Sequence, residues 1–441
     1  MTKADRSIAA QFKEKLIQKG LEQRLQKIQT APAPGAKIGG AEIPEAFTRF
    51  DRQPGYQQVH LMQEGAERFG VKSPFFQVHQ GTAGAHSAID GRRVINFGSY
   101  NYLGLSGHPE VNAAAQAAIA QYGSSVSASR IVAGERPLHQ QLEQALADFY
   151  GVDDALTFVS GHATNVTTIG HLLGPRDLIL HDEYAHNSIV QGALLSGAQR
   201  LSFPHNDLNA LETLLRQQRR KAERVLIVVE GMYSMDGDFP DLPRLIDLKK
   251  KHQAWLMVDE AHSFGVLGAT GRGIAEHFSI NTHDVDIWMG TLSKTLAACG
   301  GYIAGEQALI DNLRYLAPGF LYSVGLAPPL AAAALTALTI LQKEPDRVKT
   351  LHERGQYFLE EAKRQQMDTG FSAGYAITPL IVGSSLQAVR LSSQLLEQGV
   401  HVQPILYPAV PEKQARLRFF LNVEHSTEEL RDSLIRLKGL C

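Results

Sequence analysis

The stretch from Val225 to Gly305 constrains this chain most. It holds three short apolar runs, Val225–Glu230, Trp255–Asp259 and Asp286–Thr291, and each closes in polar and small residues. Continuous apolar runs of this length mark parallel strands buried on both faces. In open α/β sheets, ligands sit beyond the carboxyl ends of the strands. Ser234, the Asp259/His262 pair and Lys294 follow those ends, so they are expected to meet in one pocket although 35 residues separate Asp259 from Lys294.

An acidic residue at a strand end, a histidine three residues on, and a lysine between a hydroxyl and a glycine pair suit pyridoxal phosphate (PLP). A lysine amine forms a Schiff base with the aldehyde. A carboxylate facing the pyridine nitrogen keeps it protonated, so the ring accepts electrons from a substrate carbanion. Taken singly, each residue has an ordinary alternative: Asp259 as a helix cap, His262 as a satisfied helix histidine, Lys294 as a solvated surface lysine. Their order, each after an apolar strand, favours the joint reading.

The segments VDEAHSFGVLGATGRG and GTLSKTLAACGG closely resemble the α-oxoamine synthases, and the resemblance runs from about Asn96 to the C-terminus. Members of that family make 8-amino-7-oxononanoate, 5-aminolevulinate, 2-amino-3-ketobutyrate and 3-ketosphinganine. The resemblance implies an α/β fold, the PLP-dependent transferase type I fold. Its large domain has a mostly parallel seven-stranded sheet, and a small α+β C-terminal domain follows. The expected divisions are an N-terminal helix and hairpin segment (1–98), a large PLP-binding domain (99–343) and a small C-terminal domain (344–441).

The size of the chain, 441 residues, agrees with at least two lobes. A formal charge of −2 gives no reason to expect nucleic acid or an anionic membrane as partner. Cys299 and Cys441 are the two cysteines, which suits a reducing cytoplasm and no structural disulfide. No apolar run approaches the ~20 residues of a membrane span, and no signal-peptide core opens the chain. Cytoplasmic localisation is the expectation.

Before the resemblance begins, Phe12, Leu16, Leu21, Leu25 and Ile28 recur at helical spacing, reading as one amphipathic helix that TAPAPGAKIGG breaks. That helix either rests on its own domain, wraps a partner subunit, or docks a carrier protein. Val78 to Phe97 reads as a hairpin turning at Asp90-Gly91. In NFGSYNYLGLSGHPEV, Asn101 and Tyr102 match the motif that lines the family's substrate channel. Tyr100-Asn101 and SASRIVAGERPLH look closest to the serine palmitoyltransferase branch and to synthases of polyketide assembly lines.

In ALTFVSGHATNVTTI, a strand meets a helix start, where backbone N–H groups hold phosphate well. Ser160, Gly161 and His162 match the family's phosphate-cradling turn; the plain alternative is a helix cap at Ser160. His181 and His186 have no metal-site spacing. His186 matches the histidine that stacks over the PLP ring and bonds the substrate carboxylate. Ser234 matches a serine near the ring hydroxyl, Asp259 the pyridinium partner, His262 the hydrogen-bonder of the 3-hydroxyl and Thr291 a phosphate ligand. Ser323 matches a hydroxyl offered to the neighbouring subunit's cofactor phosphate, which implies a homodimer with a shared site. Arg418 matches the anchor of the amino-acid carboxylate, which a guanidinium pairs bidentately.

The implied reaction is a decarboxylating Claisen condensation of an amino acid with an acyl thioester, carried on coenzyme A or an acyl-carrier protein. Lys294, His186 and Asp259 are its expected catalytic residues. Two alternatives stand beside it. One is another enzyme of the same fold, such as an aminotransferase or lyase. The other is a non-catalytic partner subunit, of a kind that lacks the Schiff-base lysine present here as Lys294.

Overall fold

A computed structural model describes residues 43–68 and 73–441. The amphipathic pattern from Phe12 to Ile28 lies outside the described residues. The chain divides into two units, Met1–Ser73 and Pro74–Cys441. In the first, single turns at Glu45–Phe47 and Phe50–Arg52 precede a helix, Pro54–Arg68, that the sequence reading does not assign. Pro54 opens that helix at a position where a missing N–H is tolerated.

The strands of the second unit are, in chain order, β1 (His79–Gln80), β2 (His86–Ile89), β3 (Arg92–Asn96), β4 (Asp154–Phe158), β5 (Leu178–Asp182), β6 (Gln199–Phe203), β7 (Val225–Glu230), β8 (Trp255–Asp259), β9 (Ile287–Thr291), β10 (Gly301–Gly305), β11 (Ile377–Gly383), β12 (Val400–His401), β13 (Gln403–Ile405) and β14 (Ala415–Phe420). Seven of them form one sheet in the order β4-β10-β9-β8-β7-β5-β6. Its pairs are parallel except those of β10, which runs antiparallel to both neighbours. This is the expected mostly parallel seven-stranded sheet.

Side chains along these strands feed two cores in alternation. Ile227, Val229, Leu256 and Val258 enter one, and Leu226, Val228 and Met257 the other. Helices cover both faces: Leu142 and Ala334 belong to the first core, Ile169 and Ile310 to the second. Burial on both faces is why these strands are continuous apolar runs with no period of two. The third run starts one residue later than its sequence suggests, at Ile287. Asp286 is occupied instead, accepting from the Leu256 N–H at 2.7 Å and the Lys249 ammonium at 2.6 Å.

The hairpin forms as expected. β2 and β3 pair antiparallel around Asp90 and Gly91, both at positive φ (51° and 74°), the geometry of a two-residue hairpin turn. β3 then pairs in parallel with β12. The small C-terminal lobe contains the antiparallel sheet β11-β14-β13 with helices Asp346–Arg364, Ser385–Glu397 and Thr427–Leu440. Leu417 and Phe419 of β14 are fully buried in its core, so Arg416 and Arg418 point the other way. Among the described residues, no helix is long and apolar enough to cross a membrane.

Candidate active site

Glu230 and Asp259 end adjacent parallel strands as register partners, and both are buried. Asp259 is well supplied with donors: Ala261 N–H reaches Oδ1 at 3.0 Å and Asn165 Nδ2 reaches Oδ2 at 2.8 Å. Asn165 also donates to Ser188 Oγ at 2.9 Å, and Ser188 Oγ lies 2.7 Å from His186 Nδ1. His186 caps the helix Asn187–Ser196, taking the Ser188 N–H on Nδ1. With Nδ1 accepting, the ring carries its proton on Nε2. Desolvation keeps this imidazole below its ordinary pKa, with the positive groups at Lys294 and Arg418 acting in the same direction against Asp259.

Lys294 sits in the loop after β9. Thr291 shapes that loop, donating its hydroxyl to Gly300 O at 3.0 Å and accepting the Ser293 N–H at 3.2 Å. Burial pulls the Lys294 amine down to about 8; Arg418 adds to the effect, and Asp259 and Glu230 oppose it. The ammonium lies 5.7 Å from the ring centre of Tyr100. Burial, then the charge on Asp259, hold Glu230 well above the carboxylate range. Its Oε1 is buried with no partner, while Oε2 accepts the Ser234 N–H at 3.4 Å.

Ser160 caps the helix Gly161–Leu172. Its hydroxyl accepts from Ala163 N–H at 3.4 Å and its carbonyl from Thr164 N–H at 2.9 Å. The N–H groups of Gly161 and His162 precede the first intrahelical bond and form an anion-binding helix start. A Cβ at Gly161 would stand 2.8 Å from Thr291 Oγ1, so this close approach requires glycine. His162 is exposed, with its ring 6.5 Å from that of His186.

On the other flank, Arg418 donates to Ser234 O at 3.0 Å and lies 4.6 Å over the Phe420 ring. Its Nε is buried without a partner. Tyr102 is fully buried, and its hydroxyl meets His262 Nδ1 at 2.7 Å. His262 lies parallel to Phe420, with ring centres 6.2 Å apart. Desolvation holds His262 well below its ordinary pKa, and Lys294 lowers it further.

Lys294, Asp259, His186, His262, Tyr102, Arg418 and Ser234 are thus linked through shared partners or mutual electrostatic influence. Ser160, Gly161 and Thr291 form one corner beside them. The Asn101 amide is occupied within its own loop, bonding Ser106 N–H at 3.0 Å and Ser106 O at 3.4 Å. Ser323 lines a separate crevice with Val159 and Ala163, its hydroxyl donating to Val324 O at 3.2 Å. Sequence reasoning missed Asn165, Glu230 and the buried Arg416–Asp236 ion pair at 2.8 Å. Signals existed for the last two: a charge closing the apolar run VLIVVE, and the period of two in Arg-Leu-Arg.

The donor set fits PLP. A helix start with the Ser160 hydroxyl suits its phosphate, Asp259 its ring nitrogen, His262 its ring hydroxyl, and Lys294 its aldehyde; the Thr291 hydroxyl beside Gly161 is given to Gly300 O and would have to turn to join the phosphate site. The orphaned Glu230 Oε1 and Arg418 Nε leave polar capacity in the lining for a bound group. Lys294 also borders a cavity of about 490 Å³ that extends past Tyr100 to His79 and His401.

The profile of aminotransferase class I and II matches residues 92–437. An 8-amino-7-oxononanoate synthase of Fervidobacterium nodosum is 42% identical over 350 residues, covering 79% of this chain and 88% of that protein. One of Symbiobacterium thermophilum is 40% identical over 370 residues, covering 84% and 94%. The structure of Sphingomonas wittichii serine palmitoyltransferase matches with a TM-score of 0.84 at 31% identity, over 87% of this chain and 96% of that one. With a type I fold, a site that fits PLP and relatives of this extent, the chain belongs to the α-oxoamine synthase family of PLP-dependent enzymes.

Proposed function

We propose that this site condenses an amino acid with an acyl thioester, releasing carbon dioxide and the free thiol and leaving an α-aminoketone. The observation that carries the reading is the pairing of two groups: an amine depressed to about 8 at Lys294, and a guanidinium at Arg418 whose buried Nε has no partner. One is a base poised to take a proton near neutral pH. The other is a carboxylate receptor.

Bound here, PLP supplies an aldehyde for the lysine or substrate amine and a ring that takes up the electron pair of the substrate α-carbon. Arg418 and the Nε2–H of His186 hold the substrate carboxylate and fix which α-bond faces Lys294. Lys294 takes the α-proton. Asp259, steadied by Asn165 and Ala261, would supply the negative charge for the ring nitrogen. Tyr102 positions His262. Ser160, Gly161 and His162 would hold the phosphate, joined by Thr291 once its hydroxyl turns from Gly300 O, and Ser234 places its carbonyl on Arg418. Orientation selects among the reactions open to a PLP enzyme, so Arg418 decides the outcome as much as Lys294 does.

The working unit we favour is a homodimer in which Ser323 serves the neighbouring subunit's cofactor. Leu194, Leu195, Tyr315, Leu316 and Tyr322 leave large apolar side chains exposed, which supports burial against a second copy. Residues 99–343 then act as the PLP-binding lobe, and residues 344–441 carry Arg418 to it. Asn101 contributes as the anchor of the channel loop. Free Cys299 and Cys441 suit a cytoplasmic setting.

The test is stoichiometry. PLP-loaded protein given a carboxyl-labelled amino acid and an acyl thioester should release carbon dioxide and thiol one for one. Thiol release without carbon dioxide, or an oxo acid formed from the amino acid alone, would contradict the reading.

A further inference from the structure

We infer that the cavity beside Lys294 selects acyl thioesters whose acyl chain is uncharged and hydrogen-bonding, against chains that end in a carboxylate. The inference rests on the synthase reading above. At about 490 Å³ the cavity has the size of a small-molecule site. It leads from Lys294 past Tyr100 to Gln77, His79, His401 and Gln403. Among the described residues lining it, Lys294 alone carries a formal charge, and its amine is needed at the amino-acid end.

His401 is the wall residue most able to supply a second cation, and its bonds hold it neutral. Asn96 Nδ2 donates to Gly84 O at 3.1 Å, so Asn96 Oδ1 is the acceptor, and it takes the Gly98 N–H at 3.0 Å. His401 Nδ1, 3.1 Å from that oxygen, must therefore carry a proton. Its Nε2 lies 3.2 Å from Gln403 Nε2, an amide nitrogen that also donates to Pro74 O at 3.4 Å. Nε2 is therefore an acceptor, and a second proton would set N–H against N–H. Burial agrees, lowering His401 to about 4, with His79 edge-on at 4.6 Å adding to the effect.

Beyond Lys294, the described walls therefore mix amides, hydroxyls and neutral imidazoles with the apolar side chains of Phe76, Ala83, Ala297 and Ala298. A carboxylate brought among them loses water and, among the described residues, meets no cation beyond Lys294. A plain alkyl chain covers the apolar part of these walls, but it strips water from the polar part and returns no bonds. A chain bearing a hydroxyl or keto group replaces those bonds, and polar sites discriminate strongly on that basis.

The test uses non-reactive thioether analogues of octanoyl-, 3-hydroxyoctanoyl- and 7-carboxyheptanoyl-coenzyme A, bound competitively to the PLP-loaded protein. All share one thiol, so differences report the acyl chain alone. The 3-hydroxy analogue should bind at least about 10-fold more tightly than the carboxylated one. Gln403→Lys should recover about 10-fold for the carboxylated analogue, and Gln77→Lys gives the same test if the first variant fails to fold. Equal affinities for all three, as expected if the walls read only the shared pantetheine arm, would overturn the inference. So would tighter binding of the carboxylated analogue to the unmodified protein. Binding is read without turnover, so discrimination without condensation would contradict the proposed reaction and leave this inference standing.

Discussion

The hydroxyl of Tyr102 lies 2.7 Å from Nδ1 of His262, across a separation of 160 residues. Phe420 lies parallel to the same imidazole. Together they fix a neutral ring in a buried place. Tyr102→Phe leaves Nδ1 desolvated and unpartnered, which costs about 1–3 kcal/mol. Denaturant unfolding should show that loss with an unchanged m-value. The absorption spectrum of bound PLP should also shift its pH dependence, which a merely structural tyrosine would not cause.

Asn165 is a positioning residue. Its one amide nitrogen holds both Asp259 and Ser188, and Ser188 holds His186. Hydrogen bonds to charged groups contribute about 1.5–3 kcal/mol. Asn165→Ala should therefore lower kcat/KM by about 10- to 100-fold. The loss should fall in kcat more than in KM for the amino acid, since Arg418 is untouched. Equal loss of thermal stability and no kinetic change would sink this role.

Only a neutral amine attacks an aldehyde. With Lys294 near 8, covalent attachment of PLP to the apo-protein should accelerate with pH through that value. Asp259 favours the charged amine and raises its pKa. Asp259→Asn should therefore move the profile to lower pH. A shift to higher pH would show that the field at Lys294 has been misassigned. Lys294→Ala should abolish both attachment and turnover.

Stability should fall on both sides of neutrality. Burial depresses His401 and His425 to about 4, so the unfolded chain binds their protons first. Their contribution is whole above about 6.5 and is lost as pH falls toward 4, by about 3 kcal/mol each. His205 behaves oppositely. It sits between Asp182 at 2.9 Å and Asp238 at 2.8 Å, and its pKa is raised to about 10 against the opposing effect of burial. Its contribution is whole below about 6.5 and is lost as pH rises through 10. His205→Ala leaves the fully buried Asp182 with its backbone donors but without its cation, and should destabilise by about 3 kcal/mol at pH 7, measured by chemical denaturation.

The sheet was legible because burial on both faces leaves an unbroken apolar run, and β7 and β8 match their runs residue for residue. Lys294, Asp259 and His262 stand out in the sequence because their types and order, each after an apolar run, suit PLP. Asn165 was not, because a polar residue inside a helix gives no hint of which distant strand end it faces. Glu230 looked like an ordinary strand terminus until β7 and β8 were seen in register. Tyr102 is expected to line the channel; its ring is fully buried and its hydroxyl is taken by His262. A channel motif does not say which hydroxyl a distant histidine will take, because 160 residues separate the two.

The central claim is tested most directly by the visible absorption of the PLP-loaded protein. A panel of amino acids is titrated in, and an acyl thioester is then added to each. The account predicts that one amino acid shifts the visible band and that a longer-wavelength band rises when the thioester follows, and that the longer-wavelength band fails to rise in Lys294→Ala, which lacks the base. Bleaching of the visible band by an amino acid alone, with release of its oxo acid, would contradict it and mark the protein as an aminotransferase.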